Sequence, residues 1–234
     1  MIDNLARKLT ILLTRLEART LAIWIAAAGA PWLFLNLAEE VGEGETEAFD
    51  RQLILMLRRP DDLSDPVGPR WLEESLRDIT ALGGFTVLTL VTVAAVLMLV
   101  FHRRHRQAYT FLAVVVLAQV SSELLKAFYD RPRPALVPHG SIVYSQSFPS
   151  GHSALAAATY LTLAAVLASL EARRRTKALI YGVALMLVAA IGFSRVYLGV
   201  HWPSDVLGGW ALGAAWALVG WVALGLQRRP KGVG

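Results

Sequence analysis

The chain has no cysteine and few charged side chains, and these two shortages limit what it can be. Without cysteine among 234 residues, it can form neither a disulfide framework nor a cysteine-based zinc site or nucleophile. Charged residues make up 18% of the chain and hydrophobic residues 55%, with a mean hydropathy of +0.48. This apolar content is high for a soluble domain and indicates a membrane protein.

Long apolar segments recur along the whole chain. A helix that spans a bilayer needs about 20 mostly apolar residues. Six segments approach this length: Thr20–Ala38, Leu82–Phe101, Ala108–Leu125, Gly151–Leu170, Lys177–Phe193 and Asp205–Leu226. We therefore predict an all-α, polytopic membrane protein with six transmembrane helices in a bundle, formed by a single domain over residues 1–234.

Two short amphipathic patterns lie between the first two predicted spans. Thr46–Arg59 places apolar residues at helical spacing with charges between them, and the segment from Trp71 to Ile79 is a second candidate. Both patterns predict short interfacial helices. They either border a lipid entrance on the outer leaflet or simply cover the outer end of the bundle.

The basic residues give the bundle an orientation. Four basic clusters fall on one side of a six-span bundle: the N-terminal region, His102–Arg106, Glu171–Lys177 and Gln227–Lys231. The positive-inside rule makes this side cytoplasmic, so both termini are expected there. Because the formal charge of +5 is distributed in this way, it indicates membrane topology and not a nucleic-acid partner.

Three polar segments fall on the opposite face, which is periplasmic or extracellular in a bacterial-type inner membrane. They are Lys126–Pro134, Pro149–Ser153 and Ser194–Asp205. Each lies where an apolar span begins or ends. Their shared side allows their polar groups to form one site.

The last of these segments has a pattern suited to nucleophilic catalysis. His201 and Asp205 are four residues apart at the predicted start of a helix. A carboxylate that holds one imidazole nitrogen as N–H leaves the other nitrogen unprotonated. Arg195 adds a fixed cation and a bidentate donor for phosphate oxygens. If Asp205 only capped the helix and Arg195 only reached the headgroups, the position of His201 would be unexplained.

The other two segments supply groups that bind anions. Ser150 and Gly151 lie where the fourth span begins, where free N–H groups and the helix dipole attract an anion, and His152 follows in the first turn. Lys126, Arg131 and Arg133 place three cations on the face that the positive-inside rule disfavours. This favours a functional role over simple contact with headgroups.

Taken in order, K-x6-R-P, P-S-G-H and S-R-x5-H-x3-D resemble the signature of the type 2 phosphatidic acid phosphatase superfamily. The motifs cover Lys126–Asp205 without departure at any signature position. The resemblance implies that His201 is a nucleophile that forms a phosphohistidine, that Asp205 orients it, and that His152 is the general acid. It assigns the phosphate oxygens to Lys126, Arg133, Ser150, Gly151 and Arg195.

The resemblance also implies a metal-independent phosphatase without a cofactor. Its substrate would be an outer-leaflet lipid that carries a phosphomonoester or a terminal diphosphate: undecaprenyl diphosphate, phosphatidylglycerol phosphate or phosphatidate. Lipid A phosphatase is an alternative. Vanadate-dependent haloperoxidases have a similar site but are soluble, which six spans argue against. A catalytically silent lipid-phosphate-binding membrane protein is the alternative of another class, and it would have no use for the His201–Asp205 pair.

Three further polar residues lie near the motifs. Arg131 is outside the signature positions. Glu123 is expected to be a local ion partner of Lys126, and His139 is expected to be exposed to solvent.

Overall fold

The computed structural model describes residues 29–139 and 145–226. Their helices are α1 (29–43), α2 (Glu47–Met56), α3 (Arg70–Ala81), α4 (Phe85–Phe101), α5 (His105–Tyr129), α6 (Gly151–Leu170), α7 (Arg174–Tyr197) and α8 (Pro203–Leu226). Strands β1 (Arg58–Arg59) and β2 (Asp62–Pro66) form an antiparallel hairpin between α2 and α3.

Helices α5 to α8 are each long and apolar enough to cross a membrane. A fifth candidate span combines α3 with α4, which has 17 residues and is bent from α3 by 48°. The predicted all-α, multi-span architecture is therefore confirmed. The second to sixth predicted spans match α4 to α8, although α5 and α7 extend several residues beyond their apolar runs. The first predicted span, Thr20–Ala38, begins outside the described residues, so the total of six stays a prediction.

Short helices occur where two interfacial helices are predicted. Helix α2 lies within Thr46–Arg59, and α3 covers the second candidate segment. The hairpin between them was not predicted, because β1 has only two residues and β2 is mostly polar. We refer to Glu47–Ala81 as the cap. Its residue Leu76 packs against Tyr197 and Leu198 where α7 ends, so the cap covers this end of the bundle.

Helix α6 is the centre of the bundle and packs against α5, α7 and α8. Its contact with α8 depends on small residues, which allow helices in a membrane to approach closely. A Cβ atom on Gly213 would lie 2.2 Å from the carbonyl oxygen of Ala154, and one on Gly209 would lie 2.6 Å from that of Ser150. The backbone N–H of Ser150 also donates to the carbonyl of Asp205 at 2.9 Å. The starts of α6 and α8 are therefore fixed against each other.

The connectivity brings the three polar segments to one end of the bundle. Helices α5 and α7 end there, and α6 and α8 begin there. At the opposite end, Gln107 near the start of α5 donates to Ser169 near the end of α6 at 3.5 Å. The basic loops at 102–104 and 171–173 therefore lie away from the polar segments.

Candidate active site

A cavity of about 200 Å³ opens at the end of the bundle where the polar segments meet. It is lined by six of the eight residues predicted for the site: Lys126, Arg133, Gly151, His152, Arg195 and His201. The other two, Ser150 and Asp205, are fully buried and support the lining residues. Both predicted catalytic imidazoles therefore face one cavity.

His201 and Asp205 form the predicted pair. His201 Nδ1 lies 3.3 Å from Asp205 Oδ2, and both side chains are buried. The same carboxylate oxygen accepts hydrogen bonds from the Trp202 backbone N–H at 2.8 Å and from the Ser147 hydroxyl. The other ring nitrogen, Nε2, lies 3.1 Å from Arg133 Nη1. With Nδ1 donating to the carboxylate, Nε2 carries its lone pair on the side of the cations.

Local sequence explains why α8 presents this pair. Pro203 is the first residue of α8, a position where its fixed φ suits the helix and its missing N–H is not needed. Asp205 is the third residue of the helix, and its side chain accepts from the N–H of Trp202, as the acidic residue at position N3 of a capping box does. Before it, Gly199 has a φ of +70°, which favours glycine in the turn from α7. The helix start therefore fixes the carboxylate behind His201.

The electrostatic surroundings keep His201 neutral. Burial lowers its pKa well below 6.5, and the positive charges of Arg195, Arg133 and Lys126 lower it further. A neutral imidazole with an unprotonated Nε2 is the form that can act as a nucleophile.

The start of α6 forms another wall of the cavity. Ser150 is the N-cap, and its side chain accepts from the Ser153 N–H at 3.5 Å. A Cβ atom on Gly151 would lie 3.0 Å from Lys126 Nζ, so glycine leaves room for the ammonium group. The free N–H groups of this helix start and the cation beside them favour an anion.

Three cations line the cavity, and each has a partner within the described part of the chain. Lys126 Nζ lies 3.0 Å from Glu123 Oε1, which confirms the predicted ion pair. Arg133 donates to the carbonyls of Val200 and Ser145, both at 2.7 Å.

The third cation, Arg195, belongs to α7 but is held by the cap. Its Nη1 donates to Thr80 Oγ1 of α3 at 2.9 Å. Its Nε is buried and has no hydrogen-bond partner in the described part of the chain. Because a buried donor without a partner is unfavourable, an anion in the cavity would complete this site.

Sequence reasoning missed the role of two charged residues behind the site. Arg131 Nη1 lies 2.7 Å from Asp205 Oδ1, and its Nη2 lies 2.8 Å from Asp50 Oδ2. The motif excluded Arg131, and Asp50 belongs to an amphipathic helix whose charges are expected to face water. One signal was available: Asp50 is four residues before Ile54, on the buried side of α2.

The remaining polar residues lie outside this group. His139 is exposed as predicted, and its Nε2 is 2.8 Å from the Pro134 carbonyl oxygen. Across residues 29–139 and 145–226, no cluster of three or more histidine, aspartate or glutamate side chains is arranged to hold a metal ion.

Known proteins are similar to this chain in sequence and architecture. Residues 107–229 match the PAP2 superfamily. The chain is 33% identical over 186 residues to phosphatidylglycerophosphatase B of Bacillus subtilis, covering 77% of this chain and 85% of that protein. It is 29% identical over 123 residues to an undecaprenyl-diphosphatase of Sulfolobus acidocaldarius, covering 50% of this chain and 55% of that protein.

A solved structure extends the similarity to the fold. The crystal structure of a transmembrane PAP2 type phosphatidylglycerolphosphate phosphatase from Bacillus subtilis is similar with a TM-score of 0.74 and 29% identity. The match covers 90% of this chain and all of that one. The chain belongs to the PAP2 superfamily.

The charge state of His201 can be tested by titration. Because burial lowers its pKa below 6.5, we expect its ring to stay neutral at pH 5.5, where a free imidazole is mostly protonated. ¹⁵N NMR of histidine-labelled protein in micelles would measure this, with the His201→Gln variant assigning the signal. Protonation favours the unfolded chain, so the stability that depends on this group should fall as the pH drops below about 6.5. A His201 ring that titrates near 6.5 in the folded protein would contradict the expectation.

Proposed function

We propose that this protein is an integral membrane lipid phosphatase that works through a phosphohistidine on His201. The observation that carries the proposal is the buried His201–Asp205 pair, whose unprotonated Nε2 accepts a hydrogen bond from Arg133 in a cavity shared with Lys126 and Arg195. This set provides a nucleophile and the positive charge needed to bind a phosphate.

In the first step, His201 Nε2 attacks the phosphorus and the bond to the lipid oxygen breaks. His152, on the same cavity, donates a proton to that leaving oxygen. A bound phosphate dianion favours the protonated form of an imidazole beside it. The phosphorylated His201 ring carries a positive charge, which the Asp205 carboxylate stabilises through Nδ1–H.

In the second step, neutral His152 removes a proton from a water molecule, which attacks the phosphohistidine. The P–N bond breaks, inorganic phosphate leaves and His201 regains its lone pair. In both steps negative charge on the equatorial oxygens is stabilised by Lys126, Arg133, Arg195, Ser150 and the N–H group of Gly151. Loss of one such donor typically lowers the rate by about 10²–10³-fold.

A lipid substrate fits the position and size of the cavity. Its volume of about 200 Å³ is below the range of about 300–1,000 Å³ that encloses a drug-sized ligand. The cavity can therefore accept a phosphate-bearing headgroup while the chains stay in the bilayer. The apolar residues Phe85 and Leu155 also line the cavity, and Phe85 is 67% exposed at the outside of the bundle. The named relatives favour phosphatidylglycerol phosphate or undecaprenyl diphosphate as the substrate.

The proposed location is a bacterial-type inner membrane with the site on the periplasmic or extracellular face and both termini in the cytoplasm. The placement of the basic loops and the cavity at opposite ends of the bundle supports this orientation. The absence of native cysteine makes it simple to test.

Single cysteines can report the orientation. We expect an impermeant maleimide added to intact cells to label His139→Cys, because His139 is exposed at the end that carries the cavity. Ala172→Cys, exposed in the loop between α6 and α7, is the matched control and should be labelled only after the membrane is opened. The reverse labelling pattern would contradict the proposed orientation.

The activity can be tested with purified protein and a panel of lipid phosphates in EDTA. We expect the wild type to release phosphate without added metal, since three cations already face the cavity. His201→Ala should reduce the rate by more than about 10³-fold because it removes the nucleophile. His139→Ala, which changes an exposed histidine outside the cavity, should retain wild-type activity.

Each contrary result has a distinct meaning. Full activity in His201→Ala would exclude the phosphohistidine, and an absolute magnesium requirement would exclude metal independence. No release by the wild type from any lipid phosphate would favour the catalytically silent binding protein.

A further inference from the structure

Asp50, Arg131 and Asp205 form a buried row of alternating charges behind His201. The guanidinium lies between the two carboxylates, at 2.8 Å from Asp50 and 2.7 Å from Asp205. Both carboxylates are fully buried, and the Arg131 side chain is only 11% exposed. Most of the Arg131 side chain is therefore removed from solvent, and its charge is divided between two anions.

Hydrogen bonds fix this row against the start of α8. Asp50 Oδ1 accepts from the Ser204 backbone N–H at 2.8 Å, and Oδ2 accepts from the Ser204 hydroxyl at 2.5 Å. Arg131 also donates to Thr46 Oγ1 at 3.1 Å and to Ser204 Oγ at 2.8 Å. The planar guanidinium has little freedom to turn between such partners. Asp50, on cap helix α2, thus fixes Ser204, the residue that precedes Asp205.

The charges of the row match what the proposed reaction requires. With both carboxylates ionised, they and the one guanidinium leave one net negative charge beside His201. Phosphorylation of Nε2 gives the His201 ring one positive charge, which this excess can balance. If Asp50 were neutral, Arg131 and Asp205 would cancel each other and would stabilise the charged ring less.

We infer that Asp50 and Arg131 are positioning residues for phosphoryl transfer. Arg131 orients the Asp205 carboxylate towards His201, and Asp50 shares the charge of Arg131 so that Asp205 can stabilise the phosphorylated ring. The inference rests on the proposed function, because both residues act through the proposed nucleophile. Through Asp50, the cap would influence the chemical step.

Asp50→Asn tests the charge of Asp50 with little change in shape. We expect kcat on a lipid phosphate to fall about 10–100-fold, the size of the loss when a residue that orients a metal ligand is changed. KM should stay within about threefold, since the cations that bind phosphate are untouched. The matched control is Asp65→Asn in the hairpin, where the side chain is 48% exposed and pairs with Arg59. This control should keep wild-type kcat.

A second pair of variants keeps the test decisive if Asp50→Asn folds poorly. Arg131→Gln leaves two buried carboxylates without their shared cation and should be almost inactive. Adding Asp50→Asn to it restores the single net negative charge, so the double variant should be more active than Arg131→Gln alone. Activity in the double variant that is equal or lower, on protein that elutes as folded, would contradict the role of charge.

A spectroscopic readout separates positioning from a general effect on stability. In ¹⁵N-histidine NMR spectra, Asp50→Asn should shift the Nδ1–H signal of His201 upfield, because its hydrogen bond to Asp205 weakens. Unchanged kcat together with an unchanged His201 signal would overturn the inference. If the wild type releases no phosphate from any lipid, the proposed function fails, and the NMR comparison still decides whether Asp50 controls His201.

Discussion

The structure depends on keeping one buried carboxylate, Asp205, ionised and oriented towards His201. A carboxylate removed from water is unfavourable unless donors and a cation surround it. Here Asp205 Oδ2 accepts hydrogen bonds from Ser147, the Trp202 N–H and His201, while Oδ1 accepts one from Arg131. These partners come from three separate parts of the chain, so the carboxylate is satisfied only when the bundle has closed. The same requirement that stabilises Asp205 therefore assembles the site around His201.

Close helix packing makes that arrangement rigid. Helices α6 and α8 touch through glycine and alanine, and the Ser150–Asp205 backbone hydrogen bond joins their starts. The cap adds a second support, because Thr80 holds Arg195 and Asp50 holds Ser204. Fixed donors need little rearrangement when charge develops on a phosphate, which is the physical basis of electrostatic catalysis. The cap and the bundle together form the site.

Sequence predicted the parts of this molecule that depend on local pattern. Apolar runs gave the spans, and Ser150 marked the start of α6 because serine caps helices. Motif spacing identified six of the residues that line the cavity. Sequence did not reveal the hairpin, whose strands are too short and polar to show alternation. It also missed the pairing of Asp50 with Arg131, since periodicity indicates which face is buried but not which distant residue meets it.

The central claim is that His201 carries the phosphoryl group during turnover. Rapid acid-free quenching of the wild type during turnover of ³²P-labelled lipid phosphate, followed by peptide mapping, tests it directly. The His152→Ala variant should both form and hydrolyse the intermediate slowly, because His152 is proposed to protonate the leaving oxygen and to activate water. We expect an acid-labile, base-stable label on the wild-type peptide that contains His201. Phosphate release by the wild type, with no label on this peptide at any time, would contradict it.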